Sequence, residues 1–142
     1  MTPPLRSLLD AMLHAAWLVE PDRLEVAAAN PAAAALLGSH IAELATLLFL
    51  TGGLQNPFSF LFVVPVLISA TALPPRLTLV LAALAIACTS ALGFFHLPLP
   101  WNDDDPLVLP LTYMVAVWLA IVLVIGVTSL YAFQVTEESR KL

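Results

Sequence analysis

Residues 108–133 limit the possible folds of this chain most strongly, because this long apolar run contains no charged side chain. A helix needs about 20 such residues to cross a hydrocarbon layer about 30 Å thick. A helix that is apolar on every side is either a membrane span or the core of a large protein, and this chain is too short for the second. A second run, residues 77–95, is also uncharged. The sequence therefore predicts a protein that spans a membrane.

The overall composition supports this prediction. The 142 residues are 61% hydrophobic and 11% charged, whereas soluble domains have about 45–50% apolar and about 25% charged residues. The net charge of −5 argues against nucleic acid as a partner, since that interface needs clustered Lys and Arg. The single cysteine, Cys88, lies in an apolar run, so we expect neither an internal disulfide nor a cysteine metal site. We predict no metal site of any kind.

We predict an all-α membrane protein with about four transmembrane helices, at residues 32–51, 58–73, 77–95 and 108–133. Together, residues 32–133 would form a transmembrane sensor domain, and residues 134–142 would begin a cytoplasmic signalling helix. The second span contains Pro65, which would kink it.

Polar residues interrupt the first predicted span. His40 and Glu43 are three positions apart and share one helix face. A carboxylate at mid-span is costly against lipid, so Glu43 would face a protein interior or a cavity, or be protonated. Alternatively, the helix begins near Ile41 and leaves both side chains at the membrane surface.

The first 31 residues differ in kind from the rest and are predicted to form a small cytoplasmic segment. Apolar residues at helical spacing predict an amphipathic helix, and residues 17–19 and 24–26 read as two short strands joined by a turn. Asn30 as N-cap with Pro31 at the first helical position is a favoured helix start. This order resembles the opening of a PAS sensor domain, in which a phrase similar to residues 28–38 (AANPAAAALLG) follows the first hairpin. An amphipathic cap with a hairpin explains the same residues.

The distribution of basic residues predicts the orientation. Cytoplasmic loops of membrane proteins are enriched in Lys and Arg. With four spans and both termini in the cytoplasm, all basic residues lie inside: Arg6, Arg23, Arg76, Arg140 and Lys141. The loop at residues 52–58 and the acidic loop with Asp103, Asp104 and Asp105 then share the outer face.

The stretch at residues 52–58 (GGLQNPF) is turn chemistry between two apolar runs. Gly52 and Gly53 permit positive φ and close backbone approach. Asn56 followed by Pro57 initiates a turn. Because irregular backbone is costly inside lipid, the loop either makes a tight connection at the interface or holds a ligand.

Residues 48–58 (LFLTGGLQNPF) resemble the LFLTGGxxNPF signature of the RegB/PrrB (ActS) family of redox-responsive sensor histidine kinases. Residues 65–69 (PVLIS) and 95–99 (FHLPL) are similar to two further phrases of that family, in the same order. The resemblance implies a sensory module in a bacterial inner membrane, which acts as a homodimer and reaches a response regulator through histidine-bearing and ATP-binding domains.

The resemblance also implies a cofactor, ubiquinone, bound without a covalent bond at the GGxxNPF loop. The candidate binding residues are Gly52, Gly53, Asn56, Pro57 and Phe58. The amide of Asn56 offers a donor and an acceptor, the glycines would let the ring approach the backbone, and Phe58 could stack on it.

The sequence departs from the family in ways that affect function. Two amino-terminal membrane helices of the family have no counterpart, and His14, His40 and His96 lack the context of a phosphoacceptor box. We therefore expect a sensory module of a quinone-sensing two-component kinase, truncated before its catalytic domains. The alternatives are a small helical transporter or channel that uses His40, Glu43 and Pro65, and a non-catalytic scaffold that pairs with a kinase.

Overall fold

A bundle of helices preceded by one β-hairpin makes up the described part of the chain. The computed structural model describes residues 3–12, 14, 16–20, 25–99 and 107–141. Its elements are α1 (Pro3–Ala11), β1 (Trp17–Glu20), β2 (Glu25–Ala29), α2 (Pro31–Leu50), α3 (Val63–Ala72), α4 (Pro75–Phe94) and α5 (Leu111–Lys141), with 3-10 helices at Gly53–Gln55 and Pro57–Phe62. The acidic loop with Asp103, Asp104 and Asp105 lies outside the described residues.

Helix α2 begins where the sequence predicts a cap. The Asn30 Oδ1 accepts a hydrogen bond from the Ala33 N–H at 3.0 Å, and Pro31 occupies the first helical position. The alternative in which this helix begins near Ile41 is wrong, because the capped start adds ten residues before it. His40 and Glu43 therefore lie in the middle of a continuous helix.

The second predicted span, residues 58–73, is divided into two kinds of helix. Residues Pro57–Phe62 form a 3-10 helix, and the α-helix begins only at Val63. Pro65 is then in the first turn of α3, where its missing N–H is not needed for an intrahelical bond. The change of helix type therefore accommodates this proline at the start of a helix instead of as a kink within one.

The helices pack around α4, which contacts α2, α3 and α5, while α3 also packs against α5. Small side chains, Ala82 and Ala85, are buried on α4 and let its neighbours approach closely. The buried cluster is completed by larger residues, including Leu37, Ile41, Phe62, Val66, Ile121 and Ile125.

The outer surface of the bundle is as apolar as its interior, which identifies its surroundings as lipid. Most of the apolar part of α5 is not buried, and Leu119, Leu123, Val127 and Leu130 are exposed. Among the described residues, three helices are long and apolar enough to span a membrane, namely Pro31–Leu50, Pro75–Phe94 and Leu111–Val135, and Pro57–Ala72 is a shorter apolar helix. The predicted fold class, an all-α membrane protein, is confirmed.

The amino-terminal hairpin is tied to the start of α2 by one asparagine. Strands β1 and β2 pair antiparallel, with Trp17 opposite Ala29. The buried side chain of Asn30 accepts from the Ala16 N–H at 3.0 Å and donates to the carbonyls of Met12 at 3.2 Å and His14 at 2.7 Å. The order helix, strand, strand, helix is as predicted, although residues 21–24, which hold most of the predicted turn, lie outside the described residues. The PAS resemblance stays a prediction, because a single hairpin is not specific to that domain.

Candidate functional site

The loop at residues 51–58 is built from two successive tight turns that require its glycines. Gly52 has φ +98° and Gly53 has φ +56°, a region that residues with a Cβ rarely adopt. The Gln55 N–H donates to the Gly52 carbonyl at 3.0 Å, and the Asn56 N–H donates to the Gly53 carbonyl at 3.2 Å. Both glycines therefore serve the backbone path of the loop.

The open faces of both glycines are occupied by the end of α4 and the segment that follows it. A Cβ on Gly52 would lie 2.8 Å from the Leu99 Cβ. A Cβ on Gly53 would lie 2.7 Å from both the His96 ring and the Leu92 carbonyl oxygen. The sequence predicted that a quinone ring could approach the backbone at these glycines. In the structure, residues of the protein itself lie at that position. A bond from the Leu97 N–H to the Phe49 carbonyl, at 2.8 Å, holds the two segments together.

The side chain of Asn56 is used inside the loop. Its Oδ1 accepts from the Phe58 N–H at 2.9 Å, which caps the 3-10 helix that begins at Pro57. Its Nδ2 donates to the Thr51 carbonyl at 3.1 Å and to the Thr51 Oγ1 at 2.9 Å. Both amide hydrogens are therefore engaged within the protein. Asn56 is only 9% exposed, so in this conformation its role is to fix the loop.

The remaining predicted contact, Phe58, lies on the outside of the loop. Its side chain is 64% exposed and is free to meet lipid or a ligand from the membrane side. Two other polar atoms of this region, the Gln55 Oε1 and the Ser59 Oγ, are buried without a hydrogen-bond partner among the described residues.

A cavity of about 270 Å³ lies beside the loop, between α4 and α5. The loop contributes one wall through Leu54. The other lining residues come from the end of α4 and the beginning of α5: Ser90, Gly93, Phe94, Leu111, Met114, Val115 and Trp118. Its surface is almost wholly apolar, and two aromatic rings border it.

The two hydrogen-bonding side chains in this lining, Ser90 and Trp118, bond to each other between the two helices. The Trp118 Nε1–H donates to the Ser90 Oγ at 3.0 Å, and the Ser90 hydroxyl donates in turn to the Ile86 carbonyl at 2.8 Å. The cavity therefore offers an apolar slot with a single hydrogen-bonding pair, the arrangement typical of sites for small apolar ligands.

Sequence reasoning missed most of this cavity. Ser90 and Met114 carry no motif, and Trp118 reads as a packing residue or an interface anchor. The only available signal was that Leu54 belongs to the GGxxNPF loop. The loop was thus identified correctly as a distinctive element, but the space beside it depends on how α4 and α5 meet.

His40 and Glu43 lie on the outside of α2. The His40 Nδ1 is 3.4 Å from the Glu43 Oε2, with the two side chains 54% and 69% exposed. A polar pathway through the bundle would require them to face its interior. Their placement therefore gives no support to the transporter alternative.

Comparison with known proteins identifies one relative of informative similarity. The chain is 43% identical over 102 residues to a protein of Cereibacter sphaeroides described as "Sensor histidine kinase RegB". The match covers 72% of this chain and 22% of the relative, so the chain spans only about a fifth of that protein's length. No protein-family model and no solved structure matches the chain.

Proposed function

Over the residues that it shares with RegB, this chain belongs to the RegB family of sensor histidine kinases, and on that premise we propose that its helices form a quinone-binding sensory module. In this proposal the module lies in the inner membrane of a bacterium, with both termini in the cytoplasm and the GGxxNPF loop on the outer face. In the same proposal, phosphorylation of a response regulator is the task of histidine-bearing and ATP-binding domains of the kind that the family resemblance implies.

The cavity between α4 and α5 is the observation that carries this proposal. Its volume of about 270 Å³ is just below the range of about 300–1,000 Å³ for sites that enclose drug-sized molecules. It suits one substituted ring whose isoprenoid tail leaves into lipid. Phe94 and Trp118 provide aromatic surfaces on which such a ring can stack. When bound, a quinone supplies a two-electron, two-proton redox couple that is shared with the quinone pool of the membrane.

The loop residues predicted to bind the quinone act on this site mainly by fixing its wall. Gly52, Gly53 and Asn56 set the path of the loop, and Leu54 between them lines the cavity. Pro57 begins the helix that leaves the loop. Phe58 is proposed as a direct contact, because its aromatic ring is exposed and, unlike the amide of Asn56, is not engaged within the loop.

Helix α5 is the proposed output element. It contributes Leu111, Met114, Val115 and Trp118 to the cavity. The whole helix is 31 residues long and ends at Lys141, so its length is about 46 Å at about 1.5 Å per residue. A ligand can shift an equilibrium only by binding two arrangements differently. A change in how α4 meets α5 would be carried along this rod, and we propose that its cytoplasmic end pairs with a second copy in a homodimer.

Binding of ubiquinone-1 to the purified protein in lipid nanodiscs tests the proposal. Val115→Trp fills the cavity with an indole and should weaken binding by at least about tenfold, equivalent to about 1.4 kcal/mol. Val124→Trp is the matched control, because Val124 is also an exposed valine of α5 and does not line the cavity. Equal affinity of the two variants and the unmodified protein would refute this site.

A further inference from the structure

The bond between Trp118 and Ser90 joins the two helices that enclose the cavity. Both residues line the cavity, and the Trp118 Nε1 lies 3.0 Å from the Ser90 Oγ. Two other hydroxyls of these helices donate within their own helix, Thr89 to the Ala85 carbonyl and Ser129 to the Ile125 carbonyl. The Thr78 hydroxyl of α4 donates to the Ser69 carbonyl of α3, so it does not link α4 to α5. The Trp118–Ser90 bond is therefore the polar link between α4 and α5 that a ligand in the cavity can reach.

We infer that this bond distinguishes the oxidised from the reduced form of a ring-shaped ligand, a statement that rests on the proposed quinone site. The indole N–H is a donor only, with one proton to give. A quinone carbonyl is an acceptor only, so it competes directly with the Ser90 Oγ for that proton. Binding of the oxidised form thus exchanges the bond between the helices for a bond to the ligand.

The reduced form meets the same pair differently. A quinol hydroxyl can donate, and the Ser90 Oγ has two lone pairs, of which Trp118 uses one. The quinol can therefore donate to Ser90 while the Trp118–Ser90 bond stays intact. Ser90 keeps its own donation to the Ile86 carbonyl in both cases. The oxidised ligand releases α5 from α4 at this point, and the reduced ligand leaves the two helices linked.

Replacing the donor and replacing the acceptor of this hydrogen bond should therefore change the affinity for ubiquinone-1 in opposite directions. Trp118→Phe keeps an aromatic ring but removes the donor, so affinity for ubiquinone-1 should fall by about threefold to tenfold. Ser90→Ala removes the competing acceptor, so affinity for ubiquinone-1 should rise by about threefold, and affinity for ubiquinol-1 should fall. If the bond only stabilised the bundle, both substitutions would lower the affinity for both ubiquinone-1 and ubiquinol-1.

The experiment measures dissociation constants for ubiquinone-1 and ubiquinol-1 in lipid nanodiscs, with the quinol kept reduced under argon. Ser129→Ala is the matched control for Ser90→Ala, because Ser129 also donates to the carbonyl four residues earlier but lies outside the cavity lining. Trp17→Phe is the matched control for Trp118→Phe, because Trp17 lies in β1 and outside the cavity lining. Both controls should leave the ratio of the two constants unchanged.

The indole N–H signal of Trp118 in ¹⁵N-tryptophan-labelled protein provides a direct second readout. It should shift on addition of ubiquinone-1 and move much less with ubiquinol-1. Equal shifts with both ligands, or a loss of ubiquinone-1 affinity in Ser90→Ala, would overturn the inference. The proposed cavity site would still stand in that case if Val115→Trp blocks binding. No binding of either ligand to the unmodified protein would overturn the proposed function and this inference together.

Discussion

The carbonyl oxygen of Leu92 lies 2.7 Å from the position that a Cβ on Gly53 would occupy. This contact joins the end of α4 to the loop between α2 and α3. It makes Gly53 a packing residue as well as a turn residue, since a side chain here would push apart the two segments that border the cavity.

Gly53→Ala should therefore be strongly destabilising. The left-handed backbone at φ +56° costs about 1–2 kcal/mol for a residue with a Cβ, and the contact with a backbone oxygen adds to that cost. We expect a loss of at least about 2 kcal/mol in the free energy of unfolding, measured by thermal or denaturant unfolding in a mild detergent.

Gly126→Ala is the control for that substitution. Gly126 is a helical glycine of α5 with nothing within 4 Å of an added Cβ, so alanine there should stabilise the protein by about 0.5–1 kcal/mol. If both alanine variants unfolded at the same temperature, the proposed packing of Gly53 would be contradicted.

Asn56→Ala should destabilise the ligand-free protein by about 1–3 kcal/mol, because it leaves the Phe58 N–H and two oxygens of Thr51 without their partner. Asn56→Asp keeps an acceptor for the Phe58 N–H but places a second oxygen opposite the Thr51 carbonyl in a buried site, so it should be at least as destabilised as Asn56→Ala. Gln134→Ala, which removes an exposed amide side chain on α5, is the control and should stay within about 0.5 kcal/mol of the unmodified protein. Were Asn56→Ala as stable as the unmodified chain before any ligand is added, the structural role of this amide would be ruled out.

Asn30→Ala should loosen the hairpin without disturbing the other end of the bundle. It removes the cap of α2, worth about 1 kcal/mol, together with the bonds to Met12, His14 and Ala16. Hydrogen exchange of the amides in β1 and β2 should accelerate, while the buried half of α4 stays protected. Asn56→Ala, near the opposite end of α2, should leave the hydrogen exchange of β1 and β2 unchanged. Faster exchange in the hairpin of that variant would contradict the expectation that the two ends of α2 are stabilised independently.

The proposed orientation predicts that Phe58 and Lys141 are reached from opposite sides of the membrane. In a Cys88→Ser background, a membrane-impermeant maleimide added to intact cells should label Phe58→Cys and not Lys141→Cys, with the reverse pattern in inverted vesicles. Labelling of both positions from one side would reject the orientation and the outer-face location of the loop.

The sequence alone determined the class of protein and the positions of its main elements. Uncharged apolar runs leave no stable alternative to membrane helices, because each backbone polar group in lipid must be satisfied within its own segment. The cap at Asn30 and Pro31 was equally readable, since capping depends on residues that are neighbours in the chain. For the same local reason, the glycine pair marked the loop correctly as a tight turn.

Only the tertiary structure decided what these residues face. The GGxxNPF loop suggested open glycines and a free Asn56, but Leu92, His96 and Leu99 occupy the glycine faces and Thr51 takes the amide hydrogens. The cavity and its Trp118–Ser90 bond join residues 28 positions apart on two helices. Such a contact depends on the angle and rotation at which α4 meets α5, and in helices that are apolar on every side no hydrophobic periodicity in the sequence records that rotation.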